Sequence, residues 1–192
     1  MFCIIIVPIV VGTWFLAPDI IAIVSGDGFL ESVPVLRVLI FALGFIFFGS
    51  YFNMLLVVGN AQKKLMQTLI YAALFNISLN LFLIPRYSYM GSAYVSLATE
   101  AFVVLLTSML AYRTIKYRPS FENVKRILFS GVVMAVTLLL LEPYSFLLSG
   151  IVGVMVYVAL LWATRAITPD EITSLFQKDV KAPLTETERI ET

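Results

Sequence analysis

Apolar stretches about as long as a bilayer is thick recur through the first five-sixths of this 192-residue chain. A hydrocarbon core of about 30 Å takes about 20 mainly apolar residues per helix, within a range of roughly 17–25. Segments 1–17, 38–58, 65–84, 91–111, 127–141 and 146–163 meet or approach that length. The fifth is short, so the sequence predicts that its helix extends towards Lys125 or crosses a locally thin bilayer. The runs are continuous and do not alternate apolar with polar residues, which points to helices and not to barrel strands. The expected class is therefore all-α, a polytopic membrane protein of about six transmembrane helices.

Composition agrees and removes several functions. The chain is 60% hydrophobic with a mean hydropathy of +0.97, against roughly 45–50% apolar for a soluble domain. A net charge of +1 gives no ground for a nucleic-acid partner. The chain has no histidine, so the commonest transition-metal ligand and any His-based catalytic triad are excluded. Cys3, the one cysteine, has no partner for an intrachain disulfide. No catalytic motif with the required spacing appears; the sequence predicts neither an enzyme nor a cofactor or metal site.

The charges between the apolar runs set an orientation through the positive-inside rule. Alternate gaps place Lys63, Lys64, Arg113, Lys116, Arg118, Lys125 and Arg126 on one side, with Arg165, Lys178, Lys181 and Arg189 of the tail. Arg37 and Arg86 alone fall on the other side. The start of the chain, the Lys63–Lys64 gap, the 113–126 loop and the tail are accordingly expected to be cytoplasmic. Met1 opens directly into apolar residues without a basic flank, so a cleaved signal peptide is not expected. The missing flank suggests a fragment. The organisation read from sequence is four transmembrane helices over 1–112, a basic loop over 113–126, a final helix pair over 127–165, and a tail over 166–192. Within the tail, Thr168, Pro169, Asp170 and Glu171 form a capping-box pattern that predicts a short helix to about Gln177, followed by a frayed end.

Function in such a chain is sought among polar groups placed where they are costly. A charge at a helix centre costs about 3 kcal/mol on insertion scales and usually faces a bundle interior or a wet cavity. Glu100 lies mid-segment. At 100° per residue, Thr99, Ser92, Ser96, Thr107 and Glu100 share one arc of about 100°. The stripe must face other helices or water: either it packs, with Glu100 paired to a polar neighbour, or it lines a substrate path and binds a proton or cation. Asn76 and Asn80 are four apart and share a helix face, for packing or for substrate contact. Gly44, Gly49, Ser50 and Asn53 mark a helix that can approach its neighbours closely. Arg37 either snorkels to the interface or turns inwards to hold an anionic headgroup.

Residues 76–100 read NISLNLFLIPRYSYMGSAYVSLATE. This stretch resembles the "N-x-x-L-N-x-x-L-I-P-x-Y-x-x-x-G-A-A-x-A-T-x-x-x-E" region of polysaccharide and lipid-linked oligosaccharide flippases of the multidrug/oligosaccharidyl-lipid/polysaccharide exporter superfamily. Ser92 and Val95 stand where alanine is usual, and Ser96 where threonine is. Upstream, Pro18, Gly26, Phe29, Ser32, Leu36 and Arg37 fit the same family's connection. The resemblance implies the C-terminal portion of a two-lobe flippase: the last four helices of one lobe plus an extra pair, the other helices lying outside this chain. It further implies alternating access around a central polar site. The glycan and phosphate of a polyprenyl-linked substrate would enter that site while the lipid tail stays in the bilayer. Arg37 becomes the candidate for the phosphate and Glu100 for ion coupling, with Asn76, Asn80 and Ser96 along the path. The expected partners are membrane lipids, the lipid-linked glycan and the remaining transporter helices. A drug or cation exporter of the same superfamily and a non-transporting membrane assembly subunit remain open alternatives.

Overall fold

In the computed structural model, which describes residues 2–115, 122–141 and 145–164, every element is helical. The order is α1 (Phe2–Ser25), a 3-10 turn (Asp27–Ser32), α2 (Val33–Val58), α3 (Gln62–Ile115), α4 (Glu122–Leu140) and α5 (Phe146–Ala163). Four of these, α1, α2 with its preceding turn, α3 and α5, are long and apolar enough to cross a membrane. The expected six segments are distributed differently. Segments 65–84 and 91–111 both fall within α3, and segment 127–141 falls in α4, outside those four. Helix α4 opens on Glu122, Lys125 and Arg126 ahead of its apolar run. It does extend past Lys125, as the short fifth run required. The tail helix and frayed end expected over 166–192 lie outside the described residues, as do residues 116–121 of the basic loop.

Helix α3 is two helical arms joined across a kink, and it folds back on itself. Ser88 alone departs from helical geometry, with φ 52° and ψ −132°. The expected connection at 85–90 is therefore a one-residue break and not a loop. The two arms, α3a (62–87) and α3b (89–115), pack antiparallel: Asn76 meets Thr99, and the Phe75 and Phe102 rings lie 4.6 Å apart. Gly91 makes the fold-back possible. A Cβ there would lie 2.5 Å from the Leu83 carbonyl oxygen, so only glycine lets the arms close.

The α2–α3 corner is a Schellman motif. Asn60 takes the left-handed conformation at φ 54°, a region that asparagine tolerates. Ala61 N–H donates to Leu56 O and Asn60 N–H to Val57 O, which satisfies the terminal carbonyls. Leu56, Ala61, Leu65 and Ala111 then form a buried cluster at the same place.

Two further clusters of contacts set the remaining directions. Trp14 packs edge-on to Phe41, 5.2 Å between ring centres, and Val10 lies beside Gly44, so α1 and α2 run antiparallel. Val7 and Gly12 face Gly131 and Met134, so α4 runs parallel to α1. Ile127, Met134, Leu138, Tyr157 and Leu161 form the core of α4 and α5, covered by Val7, Val11 and Phe15 of α1. Helix α1 thus joins two bodies: α2 with the α3 hairpin, and α4 with α5. Among the described residues α3 packs on α2 and on no other helix.

Prolines inside α1 explain why this helix is the hub. Pro8 and Pro18 supply no N–H, leaving the carbonyls of Ile4 and Trp14 without their usual partner four residues on. Each is taken by a different neighbour. The Tyr157 hydroxyl of α5 donates to Ile4 O at 2.9 Å, and Arg37 Nε of α2 donates to Trp14 O at 3.1 Å. In hydrocarbon a freed backbone group must find such a partner. The breaks in α1 therefore become ties to the two bodies it joins.

Candidate functional site

The seam between α3a and α3b carries a line of amides and hydroxyls. Asn80 Nδ2 donates to Asn76 Oδ1 at 2.8 Å, and Asn76 Nδ2 donates across the seam to Thr99 Oγ1 at 2.9 Å. The i, i+4 spacing of Asn76 and Asn80 makes the first bond, and the fold-back at Ser88 makes the second. The line ends unfinished: the Asn80 Oδ1 atom is buried and accepts no hydrogen bond among the described residues. At 1.5 Å per residue, Asn76 lies about 18 Å and Glu100 about 18 Å from the Ser88 break. Both are far from the helix ends.

Glu100 follows Thr99 directly but sits on the side of α3b that turns towards α2. One turn later, Val103 and Val104 touch Gly49 of α2. Glu100 is half-buried and forms no hydrogen bond or ion pair among the described residues. On α2, one turn beyond Gly49, the Asn53 Oδ1 atom is buried without a donor among the described residues. Thr107 cannot serve it in this arrangement, because its hydroxyl donates to Val103 O at 2.7 Å. Ser96, one turn before Glu100, is half-buried and keeps its hydroxyl free of hydrogen bonds among the described residues, while Ser92 is exposed. The polar arc read from sequence is thus divided: Thr99 faces α3a, Thr107 is fully buried, and Ser96 and Glu100 lie between the two contacts.

Arg37 belongs to a different interface. It faces α1, where its Nε holds the Trp14 carbonyl and its guanidinium carbon lies 5.5 Å from the Trp14 ring centre. The structure brings Asn76, Asn80 and Thr99 together, sets Glu100 and Ser96 beside them, and leaves Arg37 apart. Arg37 instead lines a cavity of about 200 Å³ where the ends of α1, α2, α4 and α5 meet, with Asp19 and Ser149.

Four residues that matter to these contacts were not singled out as site residues by sequence: Trp14, Asp19, Asn53 and Tyr157. Two carried a signal, since a proline inside a membrane helix demands a donor from elsewhere. Their identity required the neighbouring helices. Among the described residues no three His, Cys, Asp or Glu side chains converge. The seam therefore offers amide and hydroxyl oxygens and one carboxylate, a set suited to sugar hydroxyls, a proton or a hard cation. No family model, curated protein or solved structure matches this chain, so its functional reading stands on these residues and their geometry.

Proposed function

We propose that this chain forms part of a transporter that flips a lipid-linked oligosaccharide or polysaccharide precursor across the cytoplasmic membrane by alternating access, within a longer protein. One observation carries the reading: a carboxylate unpaired among the described residues, Glu100, sits half-buried far from the ends of an apolar helix. A packing role would pair that charge, because an unpaired one costs about 3 kcal/mol at a helix centre. Intramembrane carboxylates retained at this cost mark ion and substrate pathways. The adjoining amides support a polar path, since Asn80 Oδ1 and Asn53 Oδ1 both await donors. Sugar hydroxyls are donors. The sequence resemblance over 76–100, which contains both Asn76 and Glu100, supplies the substrate class.

In this mechanism the glycan passes along Asn76, Asn80 and Ser96 while its polyprenyl tail remains in lipid. Glu100 takes up a proton or cation, which removes its charge and lets α2 and α3b close on each other. Releasing that ion restores the charge and favours the arrangement in which water reaches the seam. The segments bearing Lys63, Lys64, Lys125 and Arg126 face the cytoplasm in this reading. They lie at one end of the helices, because successive helices and the two arms of α3 alternate in direction.

Substitution Glu100→Gln in the full-length protein keeps the shape and removes the titratable charge. Export of lipid-linked precursor, measured on each leaflet, is expected to fall at least about tenfold, the effect of roughly 1.4 kcal/mol on a rate, with the protein still present in the membrane. Unchanged export in both Glu100→Gln and Asn76→Ala would refute the site.

A further inference from the structure

The cavity at the far end of α1 holds a cation and an anion that do not pair. Arg37 and Asp19 both line its space of about 200 Å³, yet no ion pair joins them. Arg37 is fixed in place. Its Nε donates to the Trp14 carbonyl freed by Pro18, and Trp14 lies beneath the guanidinium, itself held edge-on by Phe41. The two terminal nitrogens of the guanidinium carry no hydrogen bond among the described residues. Ser149 donates its hydroxyl proton to Leu141 O at 3.0 Å, so the oxygen lone pairs of that hydroxyl remain available to a donor. Leu138, Phe15 and Phe146 complete the lining with apolar surface.

The depth of the cavity narrows its ligand. Asp19 lies six residues from the end of α1 and Arg37 four from the start of α2, about 9 and 6 Å along the helix axes. Ser149 is three residues into α5 and Leu138 two from the end of α4. Every polar group is thus at headgroup depth, where long cationic side chains meet lipid phosphate. A bare anion would be opposed by Asp19, and a bare cation by Arg37. A volume of about 200 Å³ is below the roughly 300–1,000 Å³ of sites for drug-sized ligands.

From this we infer that the cavity binds the headgroup of a zwitterionic phospholipid bearing a primary amine, with phosphate on Arg37 and ammonium between Asp19 and Ser149. The guanidinium fork matches two phosphate oxygens. The ammonium brings N–H donors to the carboxylate and the serine oxygen. The apolar lining receives the glycerol and the first acyl carbons. This site is separate from the α3 seam and does not depend on the transport reading.

The test uses the full chain in nanodiscs of equal phosphatidylethanolamine, phosphatidylcholine and phosphatidylglycerol, with lipids that survive detergent extraction quantified by mass spectrometry. Phosphatidylethanolamine is expected to exceed each of the others about tenfold, the effect of one or two charge-assisted hydrogen bonds. Asp19→Asn should erase that preference and leave phosphatidylglycerol retained equally or better. The comparison with phosphatidylcholine, which keeps the charge but has no N–H, is made on the unaltered protein and does not depend on a variant folding. Equal retention of the three lipids, or a preference untouched by Asp19→Asn, would overturn the assignment. Soluble phosphoethanolamine forms a separate arm: if it displaces the lipid fully at matched concentration, a soluble zwitterion is the occupant and the lipid assignment fails.

Discussion

Replacing Tyr157 by phenylalanine removes one oxygen and tests the tie between α5 and the break in α1. Tyr157 is 2% exposed, so water cannot take the place of its hydroxyl. The Ile4 carbonyl, deprived of a helical partner by Pro8, is then left unpaired. An unsatisfied buried polar group costs about 1–3 kcal/mol, whereas hydrogen bonds between membrane helices average about 0.6 and reach about 1.7 kcal/mol. Burial this complete favours the upper part of the second range, so the expected loss is about 1–1.5 kcal/mol. The informative comparison is the same change in a Pro8→Ala background. Alanine restores the N–H that reaches Ile4 O, so the carbonyl keeps a partner whether or not Tyr157 is present. Tyr157→Phe should then cost less than about 0.5 kcal/mol, leaving a coupling energy of about 1 kcal/mol between positions 8 and 157. Equilibrium unfolding of the four proteins in mixed micelles at rising dodecyl sulfate, followed by the fluorescence of Trp14 and Trp162, gives all the terms. Equal destabilisation in both backgrounds would show that the hydroxyl does not serve the carbonyl freed by Pro8, and the account of α1 as a proline-tied hub would fail.

Two further outcomes test the α3 hairpin. Gly91→Ala places a methyl 2.5 Å from the Leu83 carbonyl oxygen, a backbone atom that cannot rotate away. The arms must part, at about 1–3 kcal/mol for overpacking, and a disulfide-trapping or spin-label distance across the hairpin near Ser88 should lengthen; an unchanged distance and stability would contradict the close approach. Asn76→Ala removes both the bond to Thr99 and the one from Asn80, for about 1–2 kcal/mol in the membrane. A Thr99→Val change added to it should cost little more, and full additivity in the same unfolding assay would argue against the direct Asn76–Thr99 bond.

The legibility of this protein in its sequence follows from which forces are local. Apolar length fixes helices because backbone groups in hydrocarbon must bond within their own segment, and both Leu65 and Gly91 fall where a helix was expected. The division of 65–84 from 91–111 was also legible, through Pro85 and the polar run after it. Its form was not: a single left-handed residue at Ser88 closes the hairpin, and only the contact of Gly91 with Leu83 shows why so little chain suffices. The i, i+4 pairing of Asn76 with Asn80 could be read from spacing, but not the bond from Asn76 to Thr99, which depends on the register of two antiparallel arms.

Arg37 shows the same division at one residue. Its place near a helix end and the demand of Pro18 for an outside donor are both written in the order of amino acids. That one meets the other, and that Asp19 and Ser149 line the same cavity as the remaining nitrogens, depends on how α1, α2, α4 and α5 lean together. Sequence by itself determined that the chain carries segments long and apolar enough to cross a membrane, which segments are helical and which polar groups would be costly in lipid, because burial in hydrocarbon penalises each residue on its own account. The tertiary structure decided which of those groups satisfy one another and which, like Glu100 and Asn80 Oδ1, stay unmatched among the described residues, because hydrogen bonds and charges act only across distances that packing sets.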